Sequence, residues 1–550
     1  MPLSLVVSRG LPTQKTQAVK TPGGLLRMFQ YFIMSLHFLQ SKHVIKGMIK
    51  NVINFFFSIF IAQSVFGQSK QKTIDDYFLA LVKNQQFSGN VLVIEENKIV
   101  YEKSFGYADY TTKTPNTPNI SFPIASISKL LTATAILQLI EKGLLKITDP
   151  VIQYLPDFPY PEITLRHLLS HTSGLPPYNA YFDQYKREDP SKVFTNKDFI
   201  PGIVANKQPL IYQPGEKGNY DNINFIVLAL IVEKLTGIPY KAYIEKNILQ
   251  RAGMNETSFF PLPEQFNRAQ IKNYAFPHVY LHLYDAKPVK SNSIPYVRAY
   301  WHSYGFNGFG DYTSTMRDLW KFDNALYSNQ LLKQQTLEEA FVPVKLNSGE
   351  NNADEFGLGW EIEKDTSLGK LVYHSGAAMG LSSNILRNIT KHQTVILFDN
   401  THFNAHDNAS KVMMLLNGKK VDTPKKSIAK VYGNILLSKG AIAAKESLET
   451  LKRDTVNYYL SEDEMNSLGY DFMGNNNPYH LPERHLNRQA VETLKTNVDL
   501  FPGSWNAYDS YAEALLAAGQ KAEAIKMYQE SVKLNPANEN GKKILEKLLE

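Results

Sequence analysis

The sequence predicts an α+β protein: an antiparallel sheet flanked by helices and carrying an all-helical region, followed by a separate all-α domain. Three observations predict it. β-Rich runs stand near both ends of residues 68–415, with apolar helical stretches between them. Strands and helices do not alternate in the βαβ manner of a doubly wound sheet. From about Lys425 only helical patterns remain, and one of them recurs after 34 residues. The chain has 550 residues, 43% hydrophobic and 20% charged, which allows two or three domains and a sizeable core. It has no cysteine, so disulfide scaffolds, thiolate metal sites and cysteine nucleophiles are excluded.

The elements follow in order. Residues 1–67 hold seven basic residues (Arg9, Lys15, Lys20, Arg27, Lys42, Lys46, Lys50) and no acidic ones, so the +7 of the whole chain belongs to this leader. The rest is formally neutral, which argues against a nucleic-acid partner. Residues 48–67 combine a basic start, a short apolar run and a small residue, Gly67, in the layout of a secretory signal peptide. Uncleaved, they would act as an N-terminal anchor, the one route to a membrane. Either way the body is exported, and Met48 is a candidate start.

Two β-rich runs, Val91 to Ile94 and Lys98 to Tyr101, flank a turn and suggest a hairpin. Helices are expected over Ser126–Lys142, stopped by Gly143, and over Asp221–Leu235, stopped by Gly237. Thr313-Ser314-Thr315 reads as a capping cluster for a helix running toward Tyr327. Strands return at Gly359–Ile362, Lys370–His374 and Thr394–Phe398. In the last segment, 425–550, Ala490, Leu494 and Pro502 recur as Ala524, Tyr528 and Pro536, the period of a tetratricopeptide repeat. Extra residues around Asn475–Pro478 interrupt the earlier copy. Such repeats offer a surface for a protein or peptide partner, or a shield for the body.

Ser-x-x-Lys occurs four times, at Ser69, Ser126, Ser367 and Ser427. Only Ser126 opens a long apolar helix, where Lys129 one turn on can reach its hydroxyl. Burial of that lysine would lower its pKa toward that of a useful base. Tyr-x-Asn occurs three times; Tyr220–Asn222 follows the Pro214-Gly215 turn and begins an apolar helix, so a loop-to-helix junction would aim it into a cleft. His167 and His171, four apart on an expected helix, read as packing and capping residues rather than a metal pair. No dinucleotide fingerprint, phosphate loop or His-Glu-x-x-His is present. No metal or organic cofactor is implied.

These residues resemble the serine β-lactamase and penicillin-binding-protein superfamily, in particular the class C β-lactamase-like enzymes and esterases. The resemblance rests on Ser126–Lys129, Ile163 to Pro176 with its His171-Thr172-Ser173-Gly174, and Pro214-Gly215 with Tyr220–Asn222. It extends through Gly308-Phe309-Gly310 with Ser314, Thr315 and Asp318, Phe356 to Trp360, and His374-Ser375-Gly376 with Gly380, and covers about residues 75–410. It implies that Ser126 is the acylated nucleophile and that Lys129 and Tyr220 share the proton transfers, the tyrosine partly ionised by the lysine. Asn222 would contact substrate or orient Lys129. His374, Ser375 and Gly376 would line the cleft, and the N–H groups of Ser126 and Ala377 would form the oxyanion hole.

One departure matters. The family's lysine-threonine-glycine strand reads His374-Ser375-Gly376 here, which keeps the hydroxyl and loses the permanent cation that grips substrate carboxylates. The expected function is therefore an exported serine hydrolase acting through an acyl-enzyme on an ester, amide or D-amino-acid peptide. A β-lactamase or D,D-carboxypeptidase is the runner-up, and a non-catalytic receptor using the repeats is the other alternative. The aromatic segments Tyr178–Tyr185 and Tyr274–Tyr304 are expected to shape the substrate pocket.

Overall fold

β1 (Gly89–Glu95) and β2 (Lys98–Phe105) form the expected hairpin. Its two turn residues, Glu96 and Asn97, both have positive φ, the backbone that matches the right-handed twist of paired strands. The other strands are β3 (Glu361–Ile362), β4 (Leu371–Ala378), β5 (Leu381–Asn388) and β6 (Gln393–Asp399). They assemble antiparallel in the order β3-β4-β5-β6-β1-β2, so β1 and β6 join the two ends of the body at the centre of the sheet. The computed structural model describes residues 70–189, 191–260, 273–302, 304–352, 355–402, 404–474 and 486–550. The leader with Gly67 and Met48, Ser69 of the first tetrad, and the segment around Asn475–Pro478 lie outside the described residues.

β5 is the strand the sequence hides. Its residues, Leu-Ser-Ser-Asn-Ile-Leu-Arg-Asn, are all buried, because both faces of the sheet are covered. Its polar side chains survive there by being paired: Ser383 Oγ donates to the Ile124 carbonyl at 2.9 Å, and Arg387 Nε to Asp323 Oδ1 at 2.5 Å. On one face Val91, Val93, Leu386 and Leu397 pack against the helix over 70–83 and a C-terminal helix at Ala405–Leu416. On the other, Leu92, Ile94, Ile385 and Phe398 meet the helical region.

The centre of that region is α1 (Ser128–Glu141), whose residues 128–139 are all buried. A helix apolar on every side is the mark of a core element. It packs on α2 (Ile223–Thr236), which ends on Gly237 in the left-handed conformation as its sequence requires. Ser126 itself lies in a 3-10 turn, Ala125–Ile127, just ahead of α1. Thr313 and Ser314 are not caps; with Tyr312 they form a short strand between Phe122–Pro123 and Ser258–Phe259, and only Thr315 caps the helix Met316–Tyr327. The His167 and His171 pair is also corrected: the helix spans only Leu165–Leu169, His171 lies beyond it at φ 55°, and the two do not share a helical face.

Beyond Lys425 the regular elements among the described residues are helices, apart from the two-residue pairing of Lys426–Ser427 with Tyr458–Tyr459. The helices are α3 (Ile428–Lys439), α4 (Ala441–Arg453), α5 (Glu462–Met473), α6 (Asn487–Leu500), α7 (Trp505–Ala517), α8 (Lys521–Leu534) and α9 (Glu539–Leu549). The positions that recur at 34 residues, Ala490 with Ala524 and Leu494 with Tyr528, are buried in both places. Gly469 permits the close approach of α5 and α6; a Cβ there would lie 2.3 Å from Leu494.

The helical segment is docked on the body. His282 Nδ1 lies 2.6 Å from Asp471 Oδ1, the Leu283 N–H donates to Asp471 Oδ2, and Tyr284 stacks between His282 and Phe472. This corrects the expectation for the aromatic segments. Among the described residues, none of their tyrosines lines the catalytic cleft. Tyr284 docks the tail, and Tyr178 and Tyr304 pack on Phe306 in the core.

Candidate active site

The site is built where the Ser126 turn meets the edge of β4. Gly376 makes that meeting possible. A Cβ on it would stand 2.2 Å from the Ile124 carbonyl oxygen and 2.4 Å from Ser383 Oγ, so any side chain would push the nucleophile's turn off the strand. Ser126, Tyr220, Asn222, Ser375 and Ala377 line one cleft of about 700 Å³.

Lys129 is wholly buried beneath it. Its Nζ donates to Ser126 Oγ at 2.9 Å, to Asn222 Oδ1 at 2.8 Å and to the Phe309 carbonyl at 3.2 Å, three acceptors for three protons. Loss of hydration lowers its pKa from 10.5 to about 7, against the opposing pull of Asp221, Asp311 and Glu361. The Phe309 carbonyl is fixed by Asp311, whose Oδ1 accepts the N–H groups of Gly308 and Gly310, both at 3.1 Å. Asp311 is itself raised to about 6 by burial.

Tyr220 is 38% exposed and hydrogen-bonded to Ser126, with Lys129 Nζ 4.7 Å from its ring centroid. Crowding by protein atoms raises its pKa, outweighing the hydrogen bond from Ser126. The exposed part of the ring remains hydrated, which limits the size of that rise but not its sign. Burial thus favours the protonated phenol, opposite to the partial ionisation expected from the sequence, and Lys129, brought to about 7, is the better matched to accept a proton at neutrality.

His171 is a packing residue, as its sequence context suggests, and its contacts explain where the packing matters. Its carbonyl accepts the Asn219 N–H at 2.9 Å, and its Nδ1 accepts the Asp221 N–H at 3.2 Å and lies 3.1 Å from Asn224 Nδ2. Its ring lies 4.5 Å from that of Tyr220. Burial, then Lys129 and His374, hold its pKa well below the ordinary value, so it is a neutral brace under the tyrosine loop.

On β4, the alternation of antiparallel pairing counted back from the two-residue turn Met379-Gly380 aims the Ala377 N–H away from β5. β3 pairs only with Val372 and Tyr373, so it does not reach Ala377. Ser126 and Ala377 both line the cleft. Ser375 Oγ accepts from Asn384 Nδ2 at 2.9 Å and keeps its own proton to donate. His374 is 1% exposed, with Nδ1 on the Ser375 carbonyl at 2.7 Å; burial and then Lys129 depress its pKa to about 3. It supplies no cation. Carboxylates at Glu355, Glu361 and Glu363 stand against the single Lys364 in the cleft wall.

The rival motifs are structural. Ser367 bonds Asp365 in a turn, Ser427 caps α3 and bonds Glu464, Tyr327 lies under Arg387, and Tyr432 bonds Thr496 inside the tail. No group of three or more metal-ligating side chains occurs among the described residues. The sequence reading missed the Phe309 carbonyl, Asp311, Asn384 and the bracing role of His171. Of these, only the Gly308-Phe309-Gly310 and His171-Thr172-Ser173-Gly174 runs left a visible signal.

The fold and this site define a serine hydrolase with a lysine beside its nucleophile. The beta-lactamase family model matches residues 74–416, and the chain belongs to that family. It is 36% identical over 338 residues to penicillin-binding protein 4* of Bacillus subtilis, covering 60% of this chain and 72% of that protein. A crystal structure of a penicillin-binding protein from Bacillus halodurans superposes with a TM-score of 0.51 at 27% identity, over 62% of this chain and 98% of that one. A penicillin-binding protein homologue from Pyrococcus abyssi shares the fold, with a TM-score of 0.52 at 24% identity, over 66% of this chain and 81% of that one. The family acts on small-molecule or peptide substrates.

Proposed function

We propose that this chain is an exported hydrolase that acylates Ser126 with an ester, amide or D-amino-acid peptide and releases the acyl group to water. One observation carries the reading: a fully buried lysine, brought to about 7, hydrogen-bonded to the Ser126 hydroxyl. Neutral Lys129 takes the Ser126 proton as Oγ attacks the carbonyl carbon. The N–H groups of Ser126 and Ala377 receive the developing oxyanion. The Tyr220 phenol gives its proton to the departing oxygen or nitrogen and is restored from Lys129. In the second half, water loses its proton along the same route, attacks the acyl carbon, and returns Ser126 to its hydroxyl form. Asn222 holds Lys129 through Oδ1 and lines the cleft, where its amide protons suit a substrate carbonyl.

The wall of the cleft bears on the substrate. Three carboxylates against one lysine favour a neutral or amine-bearing acyl group over one with a free carboxylate. The second reading, a β-lactamase or D,D-carboxypeptidase, is favoured by the name of the Bacillus subtilis relative and by the retained Ser375 hydroxyl. Export rests on the leader pattern, and a protein or peptide partner for the helical segment rests on its 34-residue recurrence.

The test is intact mass of the purified protein after incubation with a penicillin, an activated short-chain ester and a fluorophosphonate, beside Ser126→Ala. Adducts of the ester or fluorophosphonate that vanish in the variant support the proposal. Equal hydrolysis by Ser126→Ala would sink it. A long-lived penicillin adduct would move the substrate toward the second reading.

A further inference from the structure

A chain of polar groups leads from the cleft out to a partly exposed contact between His406 and Glu363. Ser375 Oγ accepts from Asn384 Nδ2 at 2.9 Å. The same amide nitrogen lies 3.1 Å from His406 Nδ1, and His406 Nε2 lies 3.0 Å from Glu363 Oε1. Asn384 is fully buried on β5. His406 is one-third exposed on the helix Ala405–Leu416, and Glu363 follows β3 and lines the cleft. Tyr373 of β4 stacks on the His406 ring at 4.1 Å. These are the groups facing His406 from β3, β4 and β5. On its own helix Asp407 is exposed and paired with Lys411.

The polarity of this chain is determined link by link. Asn384 Nδ2 is a donor in both of its contacts, so His406 Nδ1 must accept and its proton must sit on Nε2, where Glu363 receives it. Ser375 is then also an acceptor from Asn384, and its own O–H is left to point into the cleft. A second proton on His406 leaves the Nε2–H donation to Glu363 as it is and reverses the two links on the Nδ1 side. Nδ1–H would face the amide N–H₂ as donor against donor. The amide relieves this by turning over, which brings Oδ1, unpartnered in the structure, to accept from both His406 and Ser375. The Ser375 hydroxyl then spends its proton on Asn384 and presents a lone pair to the cleft.

We propose that Asn384, His406 and Glu363 are positioning residues that set which way Ser375 points its proton, and hence whether this wall of the cleft donates to the substrate or accepts from it. With His406 neutral the wall suits an acceptor, a carbonyl or carboxylate oxygen. With His406 protonated it suits a donor, an ammonium or amide N–H. The inference rests on the reading of Ser375 as a substrate contact. It adds a preference that reverses with the protonation state of His406, because a second proton there turns the Asn384 amide.

The experiment uses the full chain and two aryl esters with one leaving group, one carrying a carboxylate at the end of its acyl chain and the other an ammonium. The ratio of their kcat/KM values is followed from about pH 5.5 to pH 8.5, so that effects on the common chemical steps cancel. In the wild type the ratio should move toward the ammonium ester on acidification by about tenfold, the value of one hydrogen bond to a charged group. His406→Gln should make the ratio independent of pH. Thermal midpoints taken alongside separate these effects from misfolding, which would not change a ratio. A ratio in His406→Gln that follows the wild type at every pH overturns the proposal while Ser126-dependent turnover stands. If the wild type turns over neither ester through Ser126, the hydrolase reading fails and this inference fails with it.

Discussion

Replacing Lys129 by methionine separates what the buried lysine does for chemistry from what it does to stability. The side chain is 0% exposed and its pKa falls from 10.5 to about 7. That gap corresponds to about 5 kcal/mol of discrimination against the charged form in the folded state. Between the two values the unfolded chain holds the proton and the folded chain does not. Stability therefore rises with pH across this window, by about 1.4 kcal/mol per pH unit from this group. The penalty is full below about 7 and gone above 10.5. Lys129→Met has no such group, so the difference in unfolding free energy between wild type and variant should grow in the wild type's favour from about pH 7.5 to pH 9.5 at that slope. Paired urea titrations at several pH values measure it, and the comparison cancels every other titrating residue. The variant should lose about 10²- to 10⁴-fold in kcat/KM through loss of the base. The wild-type kcat/KM should rise with pH through an acid limb near 7. A wild-type-minus-variant difference that stays flat across the window would refute the depressed pKa, and with it the argument for lysine as base.

Gly376→Ala should reduce kcat by at least about 100-fold with the fold retained, because its methyl group would displace the Ser126 turn; steady-state rates beside circular dichroism test this. His374→Lys places a cation near Lys129, so it should move the acid limb of the rate profile to lower pH. A pH profile of that variant unchanged from wild type would contradict the placement of His374. Asp471→Ala leaves His282 Nδ1 and the Leu283 N–H without their acceptor at the junction of body and tail, and should cost about 1–3 kcal/mol, read as a lower denaturation midpoint and faster proteolysis between residues 417 and 428.

The sequence by itself determined the local parts. The β1–β2 hairpin, the two apolar helices with their glycine stops, the late strands β4 and β6, and the change to helices beyond Lys425 all follow from period, turn chemistry and capping, which act within a few residues. The same is true of Ser126 with Lys129, since one helical turn joins them. The family resemblance carried Tyr220, Asn222 and the His374–Ala377 strand into the same site; Tyr220, Asn222, Ser375 and Ala377 line one cleft, while His374 and Gly376, expected to line it too, are buried on the opposite side of the strand. What only the tertiary structure decided depends on groups far apart in the chain. β5 could not be read because its polar residues find partners from Ile124, Asp323 and Ser375. The Tyr274–Tyr304 segment could not be divided between core and tail contacts by composition alone. The pKa of Lys129 follows from the dry pocket closed by Asn222 and the Phe309 carbonyl, 93 and 180 residues away. Spacing places a lysine beside a serine, but only packing removes the water that would keep that lysine charged.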